Sequence, residues 1–219
     1  MTQDLDPLDQ KPAPPGMASE DLLSPVTSEQ EGALRQAALM NLALAAFEAA
    51  AALMMGSVAV MAIAIDSLHD ALTAGTTLLL AGRSQRLYRI AAVVVSVLIG
   101  LAFLWILWIG LTRFGVGRVP NPWLMIAVAL ISLAVNLIAA WRLKAFASED
   151  SDIRWVWRQT RWDFVADIAV IIAALAVSDF GQRWPDLGAG ILIAAFNIWG
   201  IYKLVRAMWQ AETAKIRSG

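Results

Sequence analysis

Six long apolar stretches, separated by short polar breaks, make up most of the chain. Each stretch is about long enough to cross the roughly 30 Å hydrocarbon core of a bilayer as one helix. This pattern predicts an all-α integral membrane protein with six transmembrane helices and short loops. The predicted spans are residues 34–55, 57–81, 90–112, 122–145, 155–179 and 186–208.

The composition supports this prediction and excludes several kinds of chemistry. Of the 219 residues, 59% are hydrophobic and only 16% are charged, which is too apolar for a soluble domain of this size. The chain has no cysteine, so disulfides, thiolate metal sites and cysteine nucleophiles are excluded. We predict a disordered, acidic, proline-containing tail over residues 1–33, a six-helix membrane domain over residues 34–210 and a short C-terminal tail over residues 211–219.

The basic residues predict the orientation of the chain in the membrane. If both termini lie on the same side, 14 of the 17 lysine and arginine residues fall on that side and 3 on the other. Lysine and arginine are enriched in cytoplasmic loops, so both termini are predicted to be cytoplasmic. Because the basic residues follow the membrane boundary, nothing indicates nucleic-acid binding. The compactness of the chain favours a bacterial cytoplasmic (inner) membrane.

Five acidic residues interrupt the apolar spans, and no lysine or arginine lies at comparable depth to pair with them. An ionised carboxylate in hydrocarbon costs several kcal/mol. These side chains must therefore either be protonated or share a cation. They are Glu48, Asp66, Asp70, Asp163 and Asp167.

The spacing of four of these residues predicts a cluster. Asp66 and Asp70 lie one helical turn apart on one face, and Asp163 and Asp167 repeat that arrangement on another helix. At about 1.5 Å per residue, the antiparallel second and fifth helices place Asp66 level with Asp167 and Asp70 level with Asp163. If these helices are neighbours, four carboxylates meet near the bilayer midplane, as in a divalent-cation site. Protons and a divalent metal would compete for such a cluster, which is the physical basis of an antiporter.

Three further residues are candidate accessory groups. His69 could change charge near neutral pH, but it is rotated about 100° from Asp70 and could equally be a packed imidazole. Glu48 lies about one turn outside Asp66, so it could serve an exit path or be a protonated packing carboxyl. Asn136 lies level with the aspartates and could contact the metal or form an interhelical hydrogen bond.

At these residues the sequence resembles the cation diffusion facilitator (cation efflux) family. The resemblance runs from Asn41 through Glu48 to GSVAVMAIAIDSLHDAL beginning at Gly56, and resumes with DFVADIAVIIAALA from Asp163 and PDLGAGILIAAFNIWG from Pro185. It implies six helices, cytoplasmic termini and a metal site formed by Asp66, Asp70, Asp163 and Asp167. It also implies export of divalent metal from the cytoplasm in exchange for external protons.

The sequence departs from the family pattern at points that bear on the metal and on assembly. Many zinc-transporting members have histidine at the leading position of one or both pairs, whereas Asp66 and Asp163 stand here. An all-oxygen site favours Mn²⁺ or Fe²⁺, although carboxylates also bind Zn²⁺. No cytoplasmic C-terminal domain follows the sixth span, so a short family member is predicted. That domain helps dimerisation in the family, so a homodimer stays an open alternative.

Other interpretations of the sequence remain. The chain could be a non-transporting membrane scaffold or accessory subunit whose aspartates bind a structural ion or share protons. An intramembrane aspartyl protease would, by resemblance, need a Gly-x-Gly-Asp signature, which none of the four aspartates has. We therefore expect no enzyme and no resident cofactor, with the metal as cargo. The acidic segment 148–152 is either a solvated turn or a surface that collects cations.

Overall fold

The computed structural model describes residues 27–112, 118–146 and 151–218, which form six α-helices. This confirms the predicted all-α architecture. Residues 1–26 of the predicted tail and residues 147–150 of the acidic segment lie outside the described residues. The helices are α1 (Ser28–Met55), α2 (Val58–Leu80), α3 (Gln85–Thr112), α4 (Pro122–Lys144), α5 (Ser151–Phe180) and α6 (Trp184–Ser218).

Helix α1 begins six residues before the predicted span because a capping box starts it. The Gln30 amide donates to Thr27 Oγ1 at 3.3 Å, and the Thr27 amide donates to Gln30 Oε1 at 2.8 Å. These two bonds satisfy amides that the first helical turn leaves without an internal partner. Residues 28–33, which the sequence pattern assigns to the tail, are therefore helical.

Helix α6 continues past the predicted end of the last span. No glycine or proline stands between Gly200 and Gly219, so nothing in that part of the sequence stops the helix. The backbone is helical to Ser218. Residues 211–218, predicted as a short tail, are thus an extension of α6.

Five of the described helices are long and apolar enough to cross a bilayer, namely α1, α2, α3, α4 and α6. Helix α5 differs because its first turns carry Arg154, Arg158 and Arg161, and its apolar part begins only at Phe164. It packs against α2, α4 and α6 and so belongs to the same bundle. The predicted orientation of the bundle in the membrane stays a prediction.

Helix α2 occupies the centre of the bundle and contacts each of the other five helices. Small residues along it, including Ala59, Ala62 and Ala64, are buried and allow the neighbouring backbones to approach closely. Helix α3, by contrast, exposes large apolar side chains along its length, such as Leu101, Trp105 and Trp108. A continuous exposed apolar face of this kind is expected where a helix meets lipid.

The N-terminal ends of α2 and α6 are joined by a buried carboxylate. Asp186 accepts hydrogen bonds from Ser57 Oγ at 2.6 Å, the Val58 amide at 2.9 Å and the Ala59 amide at 3.1 Å. It therefore caps α2 from another helix, satisfying amides that α2 itself cannot pair. Gly190 makes this approach possible, because a Cβ there would lie 2.7 Å from Val58 Cγ1.

We predict that Asp186→Ala lowers the free energy of unfolding by about 1–3 kcal/mol, because it leaves two buried amides without an acceptor. Thermal unfolding of the purified chain in detergent measures this loss. Asp179→Ala is the matched control, since Asp179 is exposed at the end of α5. Equal melting temperatures for the two variants would contradict the assigned role of Asp186.

Candidate metal site

The two aspartate pairs lie inside the bundle on neighbouring helices. Asp66 and Asp70 are on α2, and Asp163 and Asp167 are on α5, which packs directly against α2. All four side chains are at most 7% exposed. The predicted cluster requires the second and fifth helices to be neighbours, and the structure meets this requirement.

The carboxyl groups approach one another across the α2–α5 interface. Asp163 lies within hydrogen-bonding reach of Asp70, which is the pairing that the depth estimate predicted. Asp66 interacts electrostatically with both Asp70 and Asp167. Among residues 27–84, 86–112, 118–146 and 162–206, whose side chains the structure describes, no lysine or arginine is buried. Within those residues the acidic side chains therefore meet without a basic partner.

A narrow cleft opens beside the cluster, between α2, α4 and α5. In the part of the chain that the structure describes, no three acidic or histidine side chains converge as a ready-made set of ligands for one ion. The cleft is lined by Ile63, Asp66, Ser67, Ser132, Asn136, Asp163, Ala166 and Asp167.

Helix α4 contributes two neutral polar groups to the cleft. The Asn136 amide nitrogen donates to Asp167 Oδ2 at 3.1 Å and to Ser132 Oγ at 3.5 Å. Ser132 and Asn136 are spaced i and i+4, so one face of α4 presents both of them. This bond orients the Asp167 carboxyl and connects α4 to α5.

A family model described as the cation efflux transmembrane domain matches residues 34–209, from α1 to near the end of α6. The chain belongs to the cation efflux family. The family membership that the aspartate motifs predicted is thus confirmed, and the membrane protein described here is one of its members.

Two curated relatives align with part of this cation efflux protein. Both are named cadmium, cobalt and zinc/H(+)-K(+) antiporters, one from Bacillus velezensis and one from Bacillus subtilis (strain 168). They are 26% and 25% identical, respectively, over 124 residues. The alignment covers 56% of this chain and 40% of each relative, so the chain matches less than half of the length of these antiporters.

The three predicted accessory residues occupy different positions around the cleft of this cation efflux protein. Asn136 lines the cleft and forms the interhelical hydrogen bond with Asp167 described above. Glu48 of α1 is fully buried behind the lining, where it accepts a hydrogen bond from Ser67 Oγ at 2.8 Å. His69 is also buried, but it is not among the residues that line the cleft.

Two polar residues that the sequence patterns did not single out, Ser67 and Ser132, complete the surroundings of the aspartates together with Asn197. Ser67 and Ser132 line the cleft, and Asn197 of α6 lies within hydrogen-bonding reach of Asp66. Ser132 could have been found from its spacing of four residues before Asn136 on the same helix face. Ser67 carried no such signal, because it follows Asp66 directly and its partner Glu48 lies on another helix.

We predict that the double variant Asp70→Cys/Asp163→Cys is joined by a short thiol-reactive cross-linker, because the two side chains are in contact. The chain has no native cysteine, so no other thiol competes. Mass spectrometry of the digested protein identifies the linked peptides.

The control for this experiment is Leu72→Cys/Asp163→Cys. Leu72 lies two residues beyond Asp70 and is partly exposed on a different face of α2. Two outcomes would show that α2 and α5 do not meet as described. One is equal cross-linking of both double variants, and the other is no cross-linking of Asp70→Cys/Asp163→Cys.

Proposed function

We propose that this protein is a secondary active transporter that exports divalent metal cations from the cytoplasm in exchange for protons. The metal is its cargo, and Asp66, Asp70, Asp163 and Asp167 form the binding site. The observation that carries the proposal is the meeting of two i, i+4 aspartate pairs in a buried site that has no basic partner among the described side chains. Membership of the cation efflux family supports transport rather than catalysis.

The charge of the cluster accounts for an exchange of metal against protons. Four carboxylates this close together in an apolar bundle cannot all be charged unless a cation is present. A divalent metal supplies two positive charges and displaces protons, and protons arriving from the other side displace the metal. The names of the two relatives, which include H(+) as an exchanged ion, agree with this proposal.

The paired arrangement of the carboxyl groups suits a carrier better than a permanent metal centre. A structural ion needs a full set of ligands held in fixed geometry. Here the described acidic side chains form no ready-made group of three. The cargo would draw them together when it binds, which couples occupancy of the site to the packing of α2 against α5.

The ligand set bears on which metal is carried. All four proposed ligands are carboxylates, and the polar groups around them offer hydroxyl and amide oxygens. Such hard ligands suit Mn²⁺ and Fe²⁺ and also accept Zn²⁺. The names of the two relatives include cadmium, cobalt and zinc. Zinc is therefore the metal that both the ligand chemistry and the names of the relatives support.

We predict that Asp70→Asn and Asp167→Asn each abolish metal uptake into proteoliposomes together with the opposing proton flux, because each removes a charged ligand while preserving side-chain shape. The loss should exceed the roughly 10–100-fold effect of removing an outer partner of a metal site. A metal-sensitive dye and a pH-sensitive dye report the two fluxes in the same vesicles.

Asp179→Asn is the matched control for these variants, since it neutralises an exposed aspartate at the end of α5. Unchanged fluxes in correctly inserted Asp70→Asn and Asp167→Asn vesicles would disprove the four-aspartate site. Metal binding by the wild-type chain without any transmembrane flux would instead support the scaffold interpretation.

We further predict that Asp66→His shifts transport from Mn²⁺ towards Zn²⁺, because an imidazole nitrogen replaces a hard oxygen ligand. The ratio of Mn²⁺ to Zn²⁺ flux, measured at equal concentrations in the same vesicle preparation, tests this shift. A ratio that is the same for Asp66→His and the wild type would show that Asp66 does not contribute to metal selection.

A further inference from the structure

Buried oxygen atoms without a hydrogen-bond donor occur on α1 and α4. Within the described residues these are Asn41 Oδ1, Glu48 Oε1 and Asn136 Oδ1. Leaving a buried polar atom unpaired costs about 1–3 kcal/mol, so such atoms call for an explanation. All three are acceptors, which means that their missing partner is a proton donor or a positive ion.

Two of these oxygens belong to residues around the same serine. Ser132 on α4 lies close to both Glu48 and Asp167, yet Glu48 Oε1 forms no hydrogen bond of acceptable geometry. The other Glu48 oxygen is held by Ser67 Oγ at 2.8 Å, so the carboxyl is fixed in place. Asn136 uses its nitrogen for Asp167 and Ser132, which leaves its carbonyl oxygen unpaired.

These groups differ from the four-aspartate cluster in position and in chemistry. They come from α1, α4 and α5, and they combine two carboxylates with an amide oxygen and a hydroxyl oxygen. Mixed oxygen ligands of this kind are typical of hard divalent cations.

We propose that Glu48, Ser132, Asn136 and Asp167 form a second position for the divalent cargo, beside the four-aspartate cluster. The inference rests on the proposed function, because it concerns the same transported ion. Asp167 belongs to both positions, so an ion can pass from one to the other without losing all of its carboxylate ligands.

The fixed geometry of Glu48 favours this role over simple packing. A carboxyl that only stabilises the helix contacts would be expected to place both oxygens on donors. Here one oxygen is anchored by Ser67 and the other has no donor within the described residues, with Asp66 and Asp167 contributing further negative charge. A bound cation would satisfy that oxygen and offset the repulsion at the same time.

The test isolates the second position by disabling the first. Zn²⁺ binding to the full chain in lipid nanodiscs is measured by equilibrium dialysis at one fixed pH. We expect Asp70→Asn to retain Zn²⁺ binding at reduced affinity, and Asp70→Asn/Glu48→Gln to lose at least about tenfold more. Asp70→Asn/Glu31→Gln is the control, since Glu31 is an exposed carboxylate on α1, the helix that also carries Glu48. This control variant should bind Zn²⁺ with the same affinity as Asp70→Asn.

A second variant keeps the experiment decisive if Glu48→Gln does not insert. Adding Ser132→Ala to Asp70→Asn changes no further charge and should also weaken the residual Zn²⁺ binding. The inference is overturned if Asp70→Asn binds no Zn²⁺ while the wild type does, or if the added Glu48→Gln or Ser132→Ala leaves the residual affinity unchanged. A wild-type chain that neither binds nor transports any divalent metal would overturn the proposed function itself.

Discussion

The structure depends on one electrostatic constraint, which is that acidic side chains are buried in an apolar bundle and meet no basic partner among the side chains that the structure describes. Asp66, Asp70, Asp163 and Asp167 face each other across α2 and α5, with Glu48 behind them on α1. Such a group is tolerable only if protons or cations neutralise it. In the proposed metal site, occupancy by metal and occupancy by protons are therefore mutually exclusive.

The packing of α2 explains how this cluster is held in place. Its buried alanines bring the other helices close, and its polar face carries Asp66, Ser67 and Asp70 into the centre of the bundle. At its N-terminal end the Asp186 carboxylate fixes it to α6 through three hydrogen bonds. Helix α2 is thus anchored at its N-terminal end and surrounded by titratable groups near its middle. A change in packing at the carboxyl cluster would therefore move the middle of α2 relative to an end that stays attached to α6.

Neutral polar residues set the position of the charged ones. Ser67 holds one oxygen of Glu48, and Asn136 holds one oxygen of Asp167. The remaining oxygens of Glu48 and Asn136 have no donor among the described residues, which distinguishes them from ordinary packing groups. In this arrangement the hydroxyl and amide groups orient the carboxylates, while the exchange of charge is assigned to the carboxylates themselves.

The sequence by itself determined the all-α class, the number of helices and the level at which the aspartates pair, because apolar length and a fixed rise per residue are local properties of the chain. Its errors lay at the ends of helices: the Thr27 capping box extended α1, and the absence of a stop signal extended α6. Only the tertiary structure decided that α2 contacts α5, that Ser67 meets Glu48 and that Asp186 caps another helix. Those contacts join residues far apart in sequence, and they depend on how six helices pack together, which no periodicity within a single helix specifies.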